Sequence, residues 1–369
     1  MWTRHRHNLE LIACLSAVLA ALGAGCRQLP KKQVSIVDGI EVVVNPAVPL
    51  HRDPGRILKV GERLRIRDVG DAFYFKSPQL PEIAPDGSIL LRDFGQQLLR
   101  FSTEGTFLGN LIKPGQGPGE IQMLFGYFIE GDEVYAADGA GSKVVHMTLD
   151  GRYLDERRVD GDFVTMTRGW LVSLRSFEPQ LQGVLADAKH EFSWTSRSDG
   201  SLRKTYTFLG KYYRNGRIRF PWDTPRWVAD AERDLLFVTL SRDYGIQVLD
   251  LNAGRIIRSF SRAYPKVALG ERVKKAYEQG GGPRPDYELD VLELFLADGS
   301  LWVRTSTVDP KKGQLFDVFS LEGDFLDSFF VPFKDNILGL SEDTIFVKET
   351  GDDGTTAVVL YRNLEYEKD

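Results

Sequence analysis

Short apolar runs separated by turn residues recur along most of the chain, while apolar positions at helical spacing are almost absent. That pattern predicts an all-β sandwich, barrel or propeller. Segments 88–94, 133–137, 170–175, 235–241, 300–305 and 344–349 each follow a turn and read as the second strand of a repeated unit. A third strand is predicted at 97–102, 143–148, 191–196, 245–251, 314–320 and 357–362. A second tight turn then leads into a fourth strand in five units, at Glu104-Gly105, Asp150-Gly151, Asp199-Gly200, Ala253-Gly254 and Glu322-Gly323. Such pairs suit two-residue hairpins, because glycine accepts a backbone conformation closed to most residues. The repeats are uneven, with insertions near 177–190 and 263–290, and 271–279 reads as a short helix. Six units of this size predict a six-bladed β-propeller of four-stranded antiparallel blades in preference to a sandwich.

The sixth unit carries the topological clue. After 357–362 the chain runs Asn363-Leu364-Glu365-Tyr366 and stops at Asp369, without a second glycine turn or a fourth strand. A propeller must close its ring, so an N-terminal segment, 57–60 with 64–66, is expected to pair with 357–362 and complete the blade. The alternative is an irregular arm over 34–66.

The run Lys113-Pro114-Gly115-Gln116-Gly117-Pro118-Gly119-Glu120 follows a unit that begins at Pro81-Glu82-Ile83-Ala84-Pro85-Asp86-Gly87. Ahead of both lies Gly39-Ile40-Glu41-Val42-Val43-Val44-Asn45-Pro46 with Val48-Pro49-Leu50. Over roughly residues 36–122 this chain resembles the bacterial NHL-like six-bladed β-propeller lipoproteins, whose strand-rich unit ends in a GxGPGE-type loop. The resemblance implies a propeller of the cell envelope. The glycine-rich run is not a phosphate cradle: it lacks the Gly-Lys-Ser/Thr ending and opens no helix. It reads as a connector between blades, with Pro114 and Pro118 restricting the backbone and the glycines reversing it.

Composition agrees with a globular β protein: 42% hydrophobic, 27% charged, 36 glycines, and a net charge of −5 that argues against non-specific nucleic-acid binding. Residues 1–25 read as a secretion signal: Arg4 and Arg6 precede an apolar run from Leu11 to Gly25, too short to span a bilayer comfortably. Leu22-Gly23-Ala24-Gly25-Cys26 resembles a lipobox, with Gly23 where the pattern prefers Leu, which makes Cys26 the expected lipidation site. A plain cleaved signal or an uncleaved anchor is the alternative. Both cysteines, Cys14 and Cys26, lie in this leader, so the exported part has no disulfide to draw on. The expected organisation is a signal at 1–25, an N-terminal arm with the closing strand at 26–72, and the propeller at 73–369.

Catalytic constellations are thin. His51, His146 and His190 show no metal-ligand spacing, and no G-x-S-x-G elbow occurs. Asp352-Asp353-Gly354-Thr355 lacks the remaining ligands of a calcium loop and reads as a hairpin tip. Gly280-Gly281-Gly282-Pro283 reads as an exposed loop. One pattern stands out: Arg92, Arg304 and Lys348 fall five residues after Gly87, Gly299 and Asp343, with Arg175 and Arg242 near the equivalent strand ends. Bases at equivalent ends share a rim and suit an anionic small ligand or an acidic partner. The competing view is that they merely end strands, hydrated or paired with neighbours such as Asp93 or Asp243. The sequence thus predicts an exported, lipid-anchored binding or scaffold module of the envelope. Its expected partners are an envelope protein or an anionic ligand, with membrane attachment through the lipid and neither cofactor, metal nor nucleic acid. The rival is a propeller hydrolase or lyase acting at the central channel.

Overall fold

A computed structural model describes residues 32–365 apart from 51–52, 69–72, 160, 182, 199, 201–202, 216–217, 281–282 and 335. The leader, Cys26 and His51, and Gly281 and Gly282 of the glycine run, lie outside the described residues. Six sheets follow one another along the chain, each built on antiparallel strands joined in sequence order. Their first strands are Gln79–Ile83, Leu124–Glu130, Asp162–Met166, Pro225–Asp230, Val291–Ala297 and Ile337–Ser341. From the second sheet to the sixth, each first strand touches that of the next, and that of the sixth touches that of the first. The Tyr127 hydroxyl of the second bonds to the Leu80 and Leu90 carbonyls of the first sheet. The first strands therefore surround a central axis and the sheets radiate from it as blades.

The turn chemistry explains the blades. Gly105, Gly151, Gly200, Gly254 and Gly323 all have φ between 66° and 86° or close to it, at 81°, 82°, 68°, 69° and 86°. Each hands the chain from a third strand to a fourth in a conformation that costs an L-residue about 1–2 kcal/mol. Neighbouring blades pack face to face through the alternate side chains of their strands. The first and second blades enclose Leu90, Leu98, Ile121 and Val134, the fourth and fifth Phe237, Phe260, Leu301 and Phe319. Each such side chain contributes about 1.5–3 kcal/mol on burial.

The N-terminal arm is not irregular. Ile40–Asn45 lies parallel to the fourth blade's last strand, Arg255–Arg262, with Gln33–Val37 antiparallel outside it. Arg56–Ile57 then pairs in parallel with Phe329 and Phe330 of the fifth blade. Val60–Arg67 runs antiparallel to Thr356–Asn363 and is the fourth strand of the sixth blade's sheet. The expected partner segment thus begins at Val60, while Ile57 belongs to the neighbouring blade. Asn45 ties the arm down: its Nδ2 donates to the carbonyls of Ser261 (3.1 Å) and Gly323 (2.8 Å), and its Oδ1 accepts from the Phe325 amide.

Both insertions carry regular structure. Much of 177–190 extends the third blade, whose strands Val184–Ser196 and Arg203–Asn215 are each 13 residues long. Within 263–290 lies a helix, Glu271–Gly280. The glycine-rich run joins the first blade to the second, with Lys113–Pro114 bridged in parallel to Glu120–Ile121. It wraps around the Glu120 carboxylate, which accepts from the Gly117 amide at 2.9 Å and meets Lys113 at 3.1 Å. Those contacts hold its pKa below the ordinary value, the Gly117 amide most of all. A Cβ on Gly115 would fall 2.0 Å from that carboxylate, which explains the glycine there.

Candidate functional site at the channel mouth

Strand register brings the sequence-selected bases to different places. At the same level of each second strand stand Arg92, Ala137, Leu174, Thr239, Arg304 and Lys348. Arg92 lies four residues beyond Ser88, whose carbonyl accepts the Ala84 amide across the first hairpin, and the others lie four beyond Glu133, Trp170, Leu235, Ser300 and Thr344. Alternation sends all six side chains toward the following blade at one level of the ring, near the end where the first strands begin. Arg92, Arg304 and Lys348 therefore share a layer. Arg175 lies one residue past that position, so its side chain points to the opposite face, where it is exposed. Arg242 lies beyond its strand, and its guanidinium stacks on Trp222 at 4.3 Å while donating to the Trp222 carbonyl at 2.6 Å and the Tyr287 carbonyl at 3.1 Å.

The first strands add two charged residues to this layer that the turn offset does not reach. Arg226 pairs with Thr239, and Glu293 pairs with Arg304. The fourth blade thus supplies its cation from the first strand. Glu293 lies between Arg304, at 3.5 Å, and Arg226 of the preceding blade. Burial raises the Glu293 pKa and both arginines oppose that rise. Arg226 with Trp227 reads from the sequence as a candidate interface anchor, but nothing there places it or Glu293 in this layer, because the bulges between Val291 and Glu293 and between Gln79 and Pro81 shift first-strand spacing from blade to blade.

The cations of the layer are poorly compensated. Arg92 and Arg226 make no hydrogen bond or ion pair among the described residues, and the Nε atoms of Arg92, Arg226 and Arg304 are buried without a partner. Desolvation lowers the pKa of Arg92 and of Arg226. The Lys348 ammonium is also unpartnered, whereas Arg304 reaches the carbonyls of Lys334 (3.2 Å) and Ile337 (3.4 Å). Neither neighbouring aspartate pairs with these bases. Asp93 accepts the backbone amides of Lys76, Ser77 and Phe94, and Asp243 faces Lys266 at 4.0 Å. A buried donor without an acceptor costs about 1–3 kcal/mol, more when charged, so this layer is suited to receive an anion.

Below the cations sits Glu82, two pairs deeper on the first strand and opposite Leu90. It is enclosed by protein, makes no hydrogen bond or ion pair among the described residues, and keeps part of its surface open, as a channel-wall side chain does. Burial raises its pKa to about 8, so the carboxyl is mostly protonated at neutral pH. Its charged form in turn helps to hold the Tyr127 hydroxyl protonated, next to the larger effect of burial. Among the described residues no three His, Cys, Asp or Glu side chains cluster as a metal site would require.

Comparison with known proteins agrees with this architecture. Residues 71–179 match the model of the family DUF5128, described as a 6-bladed beta-propeller. That stretch spans the first two blades and the start of the third. A solved Bacteroides vulgatus structure, a member of the duf4221 family, is 10% identical, covers 83% of this chain and 98% of its own, and superposes with a TM-score of 0.50. A Bacteroides fragilis NCTC 9343 structure described as a candidate exported protein is 15% identical over 87% of this chain and 99% of its own, at a TM-score of 0.49. None of the curated proteins matches the chain. The chain is an all-β propeller.

Proposed function

We propose that this chain is an exported propeller that serves as a binding module of the cell envelope and receives an anionic ligand, or an acidic partner surface, at the mouth of its channel. One observation carries the reading: Arg92, Arg226, Arg304 and Lys348 converge on one register layer, where the side chains of Arg92 and Lys348 have no partner among the described residues and Glu293 is shared between Arg226 and Arg304. Desolvated cations are retained where they meet an anion, since otherwise they only weaken the fold. Export rests on the leader, and Cys26 supplies the lipid anchor. The antiparallel pairing of Val60–Arg67 with the last strand is taken as the closure of the ring.

The rival, a hydrolase or lyase in the channel, draws on one observation: Glu82 carries a proton at neutral pH and resembles a general acid. Glu293, the other carboxyl named on the wall, is tied to arginines, so no free base accompanies it. The binding reading therefore uses more of the site.

The test replaces Arg92, Arg304 and Lys348 together by alanine. Citrate at constant ionic strength is expected to raise the melting temperature of the parent and to leave the triple variant unmoved. Pull-downs from envelope extracts, made with protein that retains Cys26, are expected to lose their specific partner in the same variant. An unchanged citrate response and an unchanged set of partners would remove the assignment. Cys26→Ala is expected to release the protein from the membrane fraction.

A further inference from the structure

Among the described side chains, the seam between the second and third blades encloses Ala137, Val144 and Met166. A polar row crosses this face of the second blade. Tyr135 pairs with His146 and His146 with Asp155 on successive strands, so the three side chains lie side by side. The His146 ring stacks on Tyr135 at 4.2 Å and 8°, and its Nε2 lies 2.8 Å from Glu133. Arg197, from the third blade, covers the other side of Tyr135 at 5.5 Å and grips Glu130 with two nitrogens.

Between the two blades a cleft of 460 Å³ opens over this row. Its apolar lining comes from Val144, Met166 and Leu171, and Arg157 and Arg168 line it as well. Arg168 is exposed and its guanidinium has no partner among the described residues. Arg157, also exposed, donates only to the Arg197 carbonyl, at 2.8 Å. The Glu130 charge is consumed by Arg197, and Asp155 lies 3.4 Å from His146. Glu133, which is not one of the lining residues, lies against the His146 ring nitrogen, and among those that line the cleft three arginines face two carboxylates. That balance fits a monoanion and disfavours a dianion, which would meet both lining carboxylates. The volume suits a small organic ligand.

We propose that the cleft between the second and third blades binds a monocarboxylate with a short apolar body, the carboxylate on Arg157 and Arg168 and the body against Val144, Met166 and Leu171. The carboxylate belongs to a free acid or to the C-terminus of a peptide. The site is separate from the channel mouth and does not depend on it.

The test is isothermal titration of the whole exported chain with N-acetyl-leucine, N-acetyl-leucinamide, and acetyl-Ala-Ala-Leu as the acid and as the amide. Both acids, or one of them, are expected to bind saturably and each amide at least about tenfold more weakly, the value of one charge-assisted pair. Tighter binding of the tripeptide acid assigns a peptide terminus, and tighter binding of N-acetyl-leucine assigns a free acid. Arg157→Ala with Arg168→Ala is expected to weaken the acid at least about tenfold with an unchanged melting temperature, because both side chains are exposed. Arg168→Gln alone gives a smaller loss. Equal affinity for acid and amide, full affinity in the double variant, or no saturable heat with any of the four would overturn the proposal.

Discussion

Glu82→Gln tests the channel wall most directly. Burial holds the proton on Glu82 up to about 8, whereas the unfolded chain releases it near the ordinary 4.5. Below 4.5 both states are protonated and the residue has no effect on stability. As pH rises from there toward 8, the unfolded state ionises and the folded state does not. Each pH unit in that window then removes about 1.36 kcal/mol of stability, and the loss is complete above the folded value. The gap from 4.5 to about 8 sets a ceiling of about 5 kcal/mol. Glu82 keeps part of its surface accessible, so we expect about 2–3 kcal/mol in practice. Glutamine has the same shape and no charge at any pH. The stability of the variant relative to the parent should therefore be near zero at about pH 4.5 and rise by about 2–3 kcal/mol by about pH 8.5. Guanidinium unfolding followed by tryptophan fluorescence at several pH values measures it. Asp223, pushed up to about 6 by burial, and Asp290 and Glu293, also raised by burial, titrate in both proteins and cancel in the difference. A difference that stays flat with pH, or falls as pH rises, would refute the enclosed, unpartnered carboxyl.

Three further outcomes follow from the packing. Asn45→Ala strands two carbonyls and one amide where the arm crosses the fourth and fifth blades, and should cost about 3 kcal/mol in chemical denaturation. Gly323→Ala puts a Cβ 2.7 Å from the Phe260 ring at φ 86°, whereas Gly354→Ala meets nothing within 4 Å at φ 81°. The first should lower the melting temperature clearly more than the second, which pays only the backbone cost of about 1–2 kcal/mol. Asp317→Ala removes the carboxylate that holds buried Arg262 at 2.6 Å and accepts from Ser328 at 2.8 Å; leaving the arginine unpaired should cost about 3–5 kcal/mol by equilibrium unfolding.

Much of the channel site was hidden at the level of sequence for a definable reason. Arg92, Arg304 and Lys348 were legible because each sits at a constant offset from a turn that the sequence marks. Arg175 and Arg242 were placed beside them by proximity to a strand end. A shift of one residue turns a side chain to the other face of a sheet, and Arg242 is past its strand altogether. Arg226 and Glu293 reach the layer from first strands, where bulges break the spacing. Their meeting across two blades is a contact at long sequence separation with no local signature. The seam cleft has the same character. His146 alternates within a strand like any other residue, and only the neighbouring blade turns its face into a wall.

By itself the sequence determined the β class, the six repeated units and the positive-φ glycine turns. All of these follow from alternation with period two and from the backbone freedom of glycine, which act over a few residues. The sequence already pointed 57–66 toward 357–362, and tertiary structure alone decided where the N-terminal arm runs before Val60. Its segments are short and apolar, and any exposed strand edge could accept them. Blade geometry sends Ile40–Asn45 to the fourth blade, Arg56–Ile57 to the fifth and Val60–Arg67 to the sixth. Pairing of that kind is chosen by which edges remain open once the blades have packed, and no local pattern encodes it.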